Sequence, residues 1–417
     1  MFWTWLGYRD DFEESCKSMQ ELGIGGVVLN APNADDYRTA VAIAGKYGID
    51  VHAWTVTMMV EEAHGRAELL REHPDWFSVN RLGQSLVHTK AYVDYYRFLC
   101  PAIRDVRERI KARIRTYCEV DGLKGISLDY HRFVDVILPT TLWGNYGVVQ
   151  DREYPQYDYG YHPAMIAGFK EKHGYDPRDQ EDPSDDEKWL QFRCDEITEV
   201  ANEIAEVVHS YGKLMSASPF PTPKMSRQMV RQDWGTWDLD LVFPMIYHQF
   251  YTEDVSFIGD CTRENLRDKN KKTTLFSGLM MDDSPKVADY LDQAIQNGAE
   301  GVSIFTMDSI KSPETRKAFR AYTEKARAGR PTVQPAIKPA VVEVNPFNKP
   351  GVMDLIHRKM RENTKGGELK LGEYTLISER KAAKRYRVTD AASNTTFNVD
   401  FYFYGGILSG WMVAAAT

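Results

Sequence analysis

The sequence predicts an α/β protein: a (β/α)8 TIM barrel followed by a small C-terminal antiparallel α+β domain. Three observations carry this. Short apolar, β-branched runs recur along residues 1–330 and alternate with amphipathic helical stretches. The alternation yields eight strands, the number that closes a parallel barrel. Beyond a proline-rich stretch the pattern changes to closely spaced strand-like segments separated by turn signals.

Taken in order, Phe2 to Tyr8 reads as a first strand, and Asp11 to Leu22 as a helix with Phe12, Cys16, Met19 and Leu22 on one face and Gly23 as its stop. Ile24 to Asn30 is a second strand, and a helix follows from Ala34 to Tyr47. The third strand, Asp50 to Met58, runs into a long segment from Met59 to Thr89, and long connections of this kind are commonly functional. Tyr92 to Tyr117 reads as one charged helix leading to a fourth strand at Gly125 to Leu128, where Asp129 stands at the end.

A second excursion, Val134 to His162, is crowded with Trp143, Tyr146, Tyr154, Tyr157, Tyr159 and Tyr161. Helices follow at Pro163 to Lys172 and Glu187 to Tyr211. Strands five to eight are predicted at Lys213 to Ser218, Leu241 to Tyr247, Thr273 to Leu279 and Gly301 to Thr306. Residues 331–350 read as an extended proline-rich linker. The accessory domain, 351–417, is expected to hold a short helix and four strand-like segments starting at Lys370, Ala383, Thr396 and Ile407.

Composition bounds the function. A formal net charge of -8 and a pI near 5.8 argue against a nucleic-acid partner, which needs a basic face. No run approaches the roughly 20 apolar residues of a membrane span. Five scattered cysteines form no metal or disulfide pattern, so buried free thiols are expected. The amino terminus carries no secretory leader pattern, which fits a cytoplasmic protein, or an extracytoplasmic one after leader removal.

The centre of the chain is Leu123 to Phe133, LKGISLDYHRF. An acid just past a buried strand must be exposed or partnered, and His131 and Arg132 are the nearest candidates. At the C-terminal end of a barrel strand such an acid reads as catalytic.

Residues 72–133, with EHPDWF, the glycine of RLGQS, FLCP, AIRDVRERI and DGLKGISLDYHRF, resemble the glycoside-hydrolase-like barrels related to glycosyl-hydrolase-like family ten. SASPFP and WGTWDLDLVFPMIYHQ resemble the fifth and sixth strands of those barrels, with Met245 where a glutamine usually stands. The resemblance implies a carbohydrate-active barrel acting on an oligosaccharide or polysaccharide. No cofactor is expected.

Glycoside hydrolysis typically uses two carboxyl groups. Asp129 is expected to be one of them, as a nucleophile kept ionised by Arg132. The second is expected to be Asp308, which closes the eighth strand, or Asp282, which follows the seventh. Sugar contacts are expected from Trp3, Trp5, Tyr8, Asn30, Trp54, His131, Arg132, Tyr247 and His248. No metal is expected, because His131 and His248 are far apart in sequence. Two other readings stand beside this one: a catalytically silent glycan-binding barrel, and a metal-assisted carbohydrate deacetylase with His131 or His248 on one ion with Asp129.

Overall fold

The computed structural model describes residues 1–328 apart from Glu253 and Pro285, with Phe347 and the strand residues 371–380, 383–390, 396–404 and 407–415. Eight parallel strands close a barrel in chain order. They are β1 Phe2–Gly7, β2 Gly26–Asn30, β3 Asp50–Val56, β4 Gly125–Asp129, β5 Leu214–Ala217, β6 Leu241–Val242, β7 Thr274–Met280 and β8 Gly301–Phe305. The ring closes where Phe2 of β1 pairs with Val302 of β8.

Strand alternation sorts side chains to two sides. Val27, Leu29, Val51, Ala53, Ile126 and Leu128 are buried in the large core that includes the surrounding helices. The smaller inner core holds Trp3, Trp5, Val28, Phe243 and Phe276. Trp3 fits there because Gly26 stands beside it: a Cβ at that glycine would lie 2.5 Å from the indole ring.

Two elements differ from their sequence reading, and proline is the reason for both. The helix predicted from Tyr92 forms only over Arg104–Cys118. Cys100 precedes Pro101, which disfavours the helical region for Cys100 and supplies no backbone N–H. The preceding residues pair instead with the excursion after β3, through the bridges Met59↔Phe98 and Phe77↔Leu99. Likewise β6 is only Leu241–Val242, because Pro244 cannot donate to a ladder; pairing resumes at the single bridge Met245↔Gly278.

The C-terminal strands β9 Leu371–Arg380, β10 Ala383–Asp390, β11 Thr396–Tyr404 and β12 Ile407–Ala415 form an antiparallel sheet in the order β12-β11-β10-β9. Part of its contact with the barrel falls on the excursion after β4. Tyr402 meets Trp143 edge-on at 4.9 Å, and Gly410 lies so close to Thr140 that a Cβ there would come within 2.0 Å of its hydroxyl. The predicted linker, apart from Phe347, and the predicted short helix lie outside the described residues. The five cysteines are free and buried, and no helix among the described residues is long and apolar enough to cross a membrane.

Candidate active site

The site is built on the last residue of β4. Asp129 is 8% exposed, and both carboxylate oxygens are held: Trp54 Nε1 donates to Oδ2 at 2.8 Å and the Tyr130 backbone N–H donates to Oδ1 at 2.7 Å. Trp54 comes from β3, so the neighbouring strand fixes the acid. Behind it, the Thr57 backbone N–H donates to the Asp129 carbonyl at 3.1 Å. Burial raises the Asp129 carboxyl above the usual aspartate range, against the lowering effect of its two hydrogen bonds and the Arg132 charge.

The walls of the mouth are aromatic. Phe305, the last residue of β8, lies 6.4 Å from the Trp54 ring and 5.6 Å from Tyr247, which follows β6. Burial pushes the Tyr247 hydroxyl well up, and the charge of Asp129 adds to this, so the phenol stays protonated beside the acid. Gly7, the last residue of β1, is exposed, and a Cβ built there would meet nothing within 4 Å. The mouth is therefore open above this glycine.

The other predicted site residues fall into four groups. Asn30 and Tyr8 are half-buried at the strand ends, with Asn30 Nδ2 donating to the Trp54 carbonyl at 3.5 Å. Trp5 and Trp3 lie inside the barrel: Trp5 Nε1 donates to Ser218 Oγ at 3.2 Å, while Trp3 packs deeper, against His52 at 4.8 Å and Phe243 at 5.2 Å. A tryptophan at the second position of a six-residue strand is near the wrong end of the barrel to meet a ligand at the mouth.

His131 and Arg132 correct the sequence reading. Both His131 nitrogens are engaged by the protein, Nδ1 with Thr57 Oγ1 at 2.9 Å and Nε2 with the Ile197 carbonyl at 2.9 Å. A carbonyl only accepts, so Nε2 carries the proton, and burial lowers the imidazole pKa to about 4. Neither nitrogen is free for a sugar or a metal. Arg132 is buried, and its ion pair is with Asp135 at 3.0 Å rather than with Asp129.

Asp308 lies just past β8 with its side chain 46% exposed, facing the Arg9 guanidinium at 3.1 Å. Asp282 follows β7 and accepts from the Tyr290 hydroxyl at 3.3 Å. The Tyr290 ring packs on His248 at 4.9 Å. Burial lowers His248 to about 4, opposed by the charges of Asp282 and Asp254. Among the described residues no group of three or more His, Cys, Asp or Glu side chains is placed to hold a metal ion.

The sequence reading passed over Gly7, Phe305 and Glu61. Burial raises the Glu61 carboxyl, Arg113 lowers it and the charge of Asp129 raises it further, so Glu61 feels the acid at the mouth. Its signal in the sequence was only its place in the excursion that follows β3.

No protein-family model matches this chain, and no curated protein matches it. Among solved structures it is similar to a GH36 α-galactosidase from Geobacillus stearothermophilus, with 11% identity and a TM-score of 0.42 over 94% of this chain and 44% of that one. It is also similar to a trehalose-6-phosphate hydrolase from Bacillus licheniformis, with 14% identity and a TM-score of 0.39 over 94% and 85% of the two chains. A chitobiase from Flavobacterium johnsoniae gives 12% identity and a TM-score of 0.41 over 78% and 50%. The chain spans less than half the length of the α-galactosidase. Scores of this size leave function to be argued from the residues at the mouth.

Proposed function

We propose that the barrel hydrolyses O-glycosidic bonds of an oligosaccharide or polysaccharide, with Asp129 as the proton donor and Asp308 as the second carboxylate. The observation that carries the reading is the Asp129 carboxyl itself: buried at the C-terminal end of a barrel strand, oriented by Trp54 and Tyr130, and framed by aromatic rings below open space. Pockets that bind small molecules combine apolar and aromatic walls with a few fixed polar groups. Aromatic faces suit the C–H faces of sugar rings, and Asn30 and Tyr247 offer polar partners for hydroxyls.

The two roles follow from environment. A glycosidase acid must keep its proton at working pH, while the partner carboxylate stays ionised. Burial raises Asp129, which suits the acid, so the nucleophile role expected from the sequence is exchanged for that of donor. Asp308 is half-exposed and ion-paired with Arg9. β4 and β8 are four strands apart in a ring of eight, so in this reading the two acids approach a bound glycan from opposite sides. Asp282, engaged by Tyr290, follows the adjacent strand β7.

The test is hydrolysis of plant, host and bacterial glycans by the wild type, Asp129→Asn and Asp308→Asn. The reading expects the wild type to cleave at least one glycan and both variants to lose cleavage while still binding it. Cleavage unaffected by Asp129→Asn contradicts it.

A further inference from the structure

The aromatic surface continues outward from Asp129. Tyr130, next to the acid, meets Tyr96 edge-on at 6.3 Å, and Tyr96 meets Tyr95 at 5.2 Å. From the excursion after β4, Tyr146 meets Tyr92 at 5.7 Å. The two sets are joined through Asp135 and Arg132: the Tyr92 hydroxyl donates to the Asp135 carbonyl at 2.9 Å, and Arg132, ion-paired with Asp135, donates to the Tyr96 hydroxyl at 3.4 Å. Five tyrosines from three separated segments thus form one band. Its outer members are open to solvent, Tyr95 at 46% and Tyr146 at 37% exposed.

Arg132 ties the inner rings of the band together. Its guanidinium lies 5.0 Å from the Tyr130 ring and 5.8 Å from the Tyr96 ring, while its ion pair with Asp135 fixes it from the other side. The Tyr92 hydroxyl donates to the Asp135 carbonyl at 2.9 Å and accepts from Gln150 at 2.8 Å. Tyr130 has φ of 47°, a left-handed conformation that a tyrosine keeps only when its surroundings hold it there. Rings fixed before a ligand arrives lose little freedom on binding it, which is how preorganised surfaces gain affinity.

We propose that this tyrosine band is an extended sugar-binding track leading to Asp129, and that the substrate is a saccharide chain several rings long rather than a single terminal sugar. The identity of the ligand as a saccharide rests on the glycosidase reading of the mouth. Phenols present an apolar face and a polar rim, as a sugar ring does, and the chain's net charge of -8 disfavours a nucleic acid on the same surface.

The test uses the full chain carrying Asp129→Asn, so that ligands bind without turnover, and cello-, chito-, manno- and malto-oligosaccharides of two and six units in a titration calorimeter. The expected result is one six-unit probe bound about tenfold or more tighter than its two-unit counterpart. Adding Tyr95→Ala or Tyr146→Ala removes most of that advantage, on the scale of one aromatic contact, and the Phe variants restore it. Both side chains are exposed, and circular dichroism checks that the variants fold. Equal affinity for both lengths, no binding of any six-unit probe, or an advantage that survives both Ala variants overturns the track. Cleavage of two-unit and six-unit probes with equal efficiency by the wild type also overturns it while leaving the glycosidase reading intact. A length advantage in a wild type that cleaves nothing sinks the glycosidase reading and keeps the track.

Discussion

Asp129 ends β4, while Asp308 lies in the turn that follows β8, on the other side of the barrel, and the two acids have different surroundings. Asp129 is buried, held by an indole and a backbone N–H, and burial outweighs these donors in raising its pKa. Asp308 is half-exposed to solvent against the long side chain of Arg9, which also reaches Asp11 at 3.2 Å. The same residue type is thus buried and hydrogen-bonded in one place and solvent-exposed and ion-paired in the other. Environment, rather than residue identity, assigns the roles.

The largest effect that can break this comparison is at Asp129. Asp129→Asn is expected to lower kcat/KM on an unactivated glycan by about 10²- to 10⁴-fold, the range for a lost general acid. A loss under tenfold in steady-state assays would leave Asp129 without the role of donor.

Next in size is an acid sensitivity of the fold. His52, His131 and His248 have pKa values lowered by burial to about 3, 4 and 4. A depressed histidine leaves the unfolded chain binding more protons, so stability is full above the unfolded pKa near 6.5 and falls as pH drops toward 4. The loss is about 1.4 kcal/mol for each pH unit separating the folded from the unfolded pKa. Asp129 works in the opposite sense: its raised pKa means that its contribution fades as pH rises through the carboxylate range. Urea unfolding at pH 7 and 4.5 should show the net loss at the lower pH, because burial lowers five histidines, His64 and His162 as well as these three, while the carboxyls of Glu61, Glu196 and Glu264 join Asp129 in being raised. Equal stability at both would mean that these rings are not buried neutral.

Arg9→Ala sharpens the β8 side. An exposed ion pair contributes about 0 to 1 kcal/mol, so the melting temperature should hardly move, whereas turnover is expected to fall roughly tenfold as Asp308 loses its partner. Unchanged turnover would detach Asp308 from the reaction. The smallest effect is at Trp54. Trp54→Phe removes a donor that favours the ionised form of Asp129, so the alkaline limb of the pH–rate profile should move to higher pH, with turnover reduced only a few-fold. A limb that stays in place, or moves down, contradicts the donor role.

The barrel strands were legible because each is a short apolar run with its own stop, as GISLD shows: read as a strand over 125–128 with an acid at its end, it is β4 Gly125–Asp129. The helix predicted from Tyr92 and the long sixth strand failed where Pro101 and Pro244 override an apolar pattern. At the site, the place of Asp129 could be read, but not its partners. Arg132 is three residues away and yet pairs with Asp135, because the left-handed turn at Tyr130 redirects the chain immediately after the acid. The tyrosine band was equally hidden. Tyr92, Tyr130 and Tyr146 are dozens of positions apart at the extremes, and only the two excursions folding over β4 bring them together.

The measurement that bears most directly on the division of roles is cleavage of an activated aryl glycoside, whose leaving group needs no proton, beside an unactivated glycan of the same sugar. For Asp129→Asn the expected result is near wild-type cleavage of the activated substrate, loss of the alkaline limb, and almost no cleavage of the glycan. If Asp129→Asn loses both substrates alike while Asp308→Asn keeps the activated one, the roles are reversed and the division proposed for the two acids is wrong.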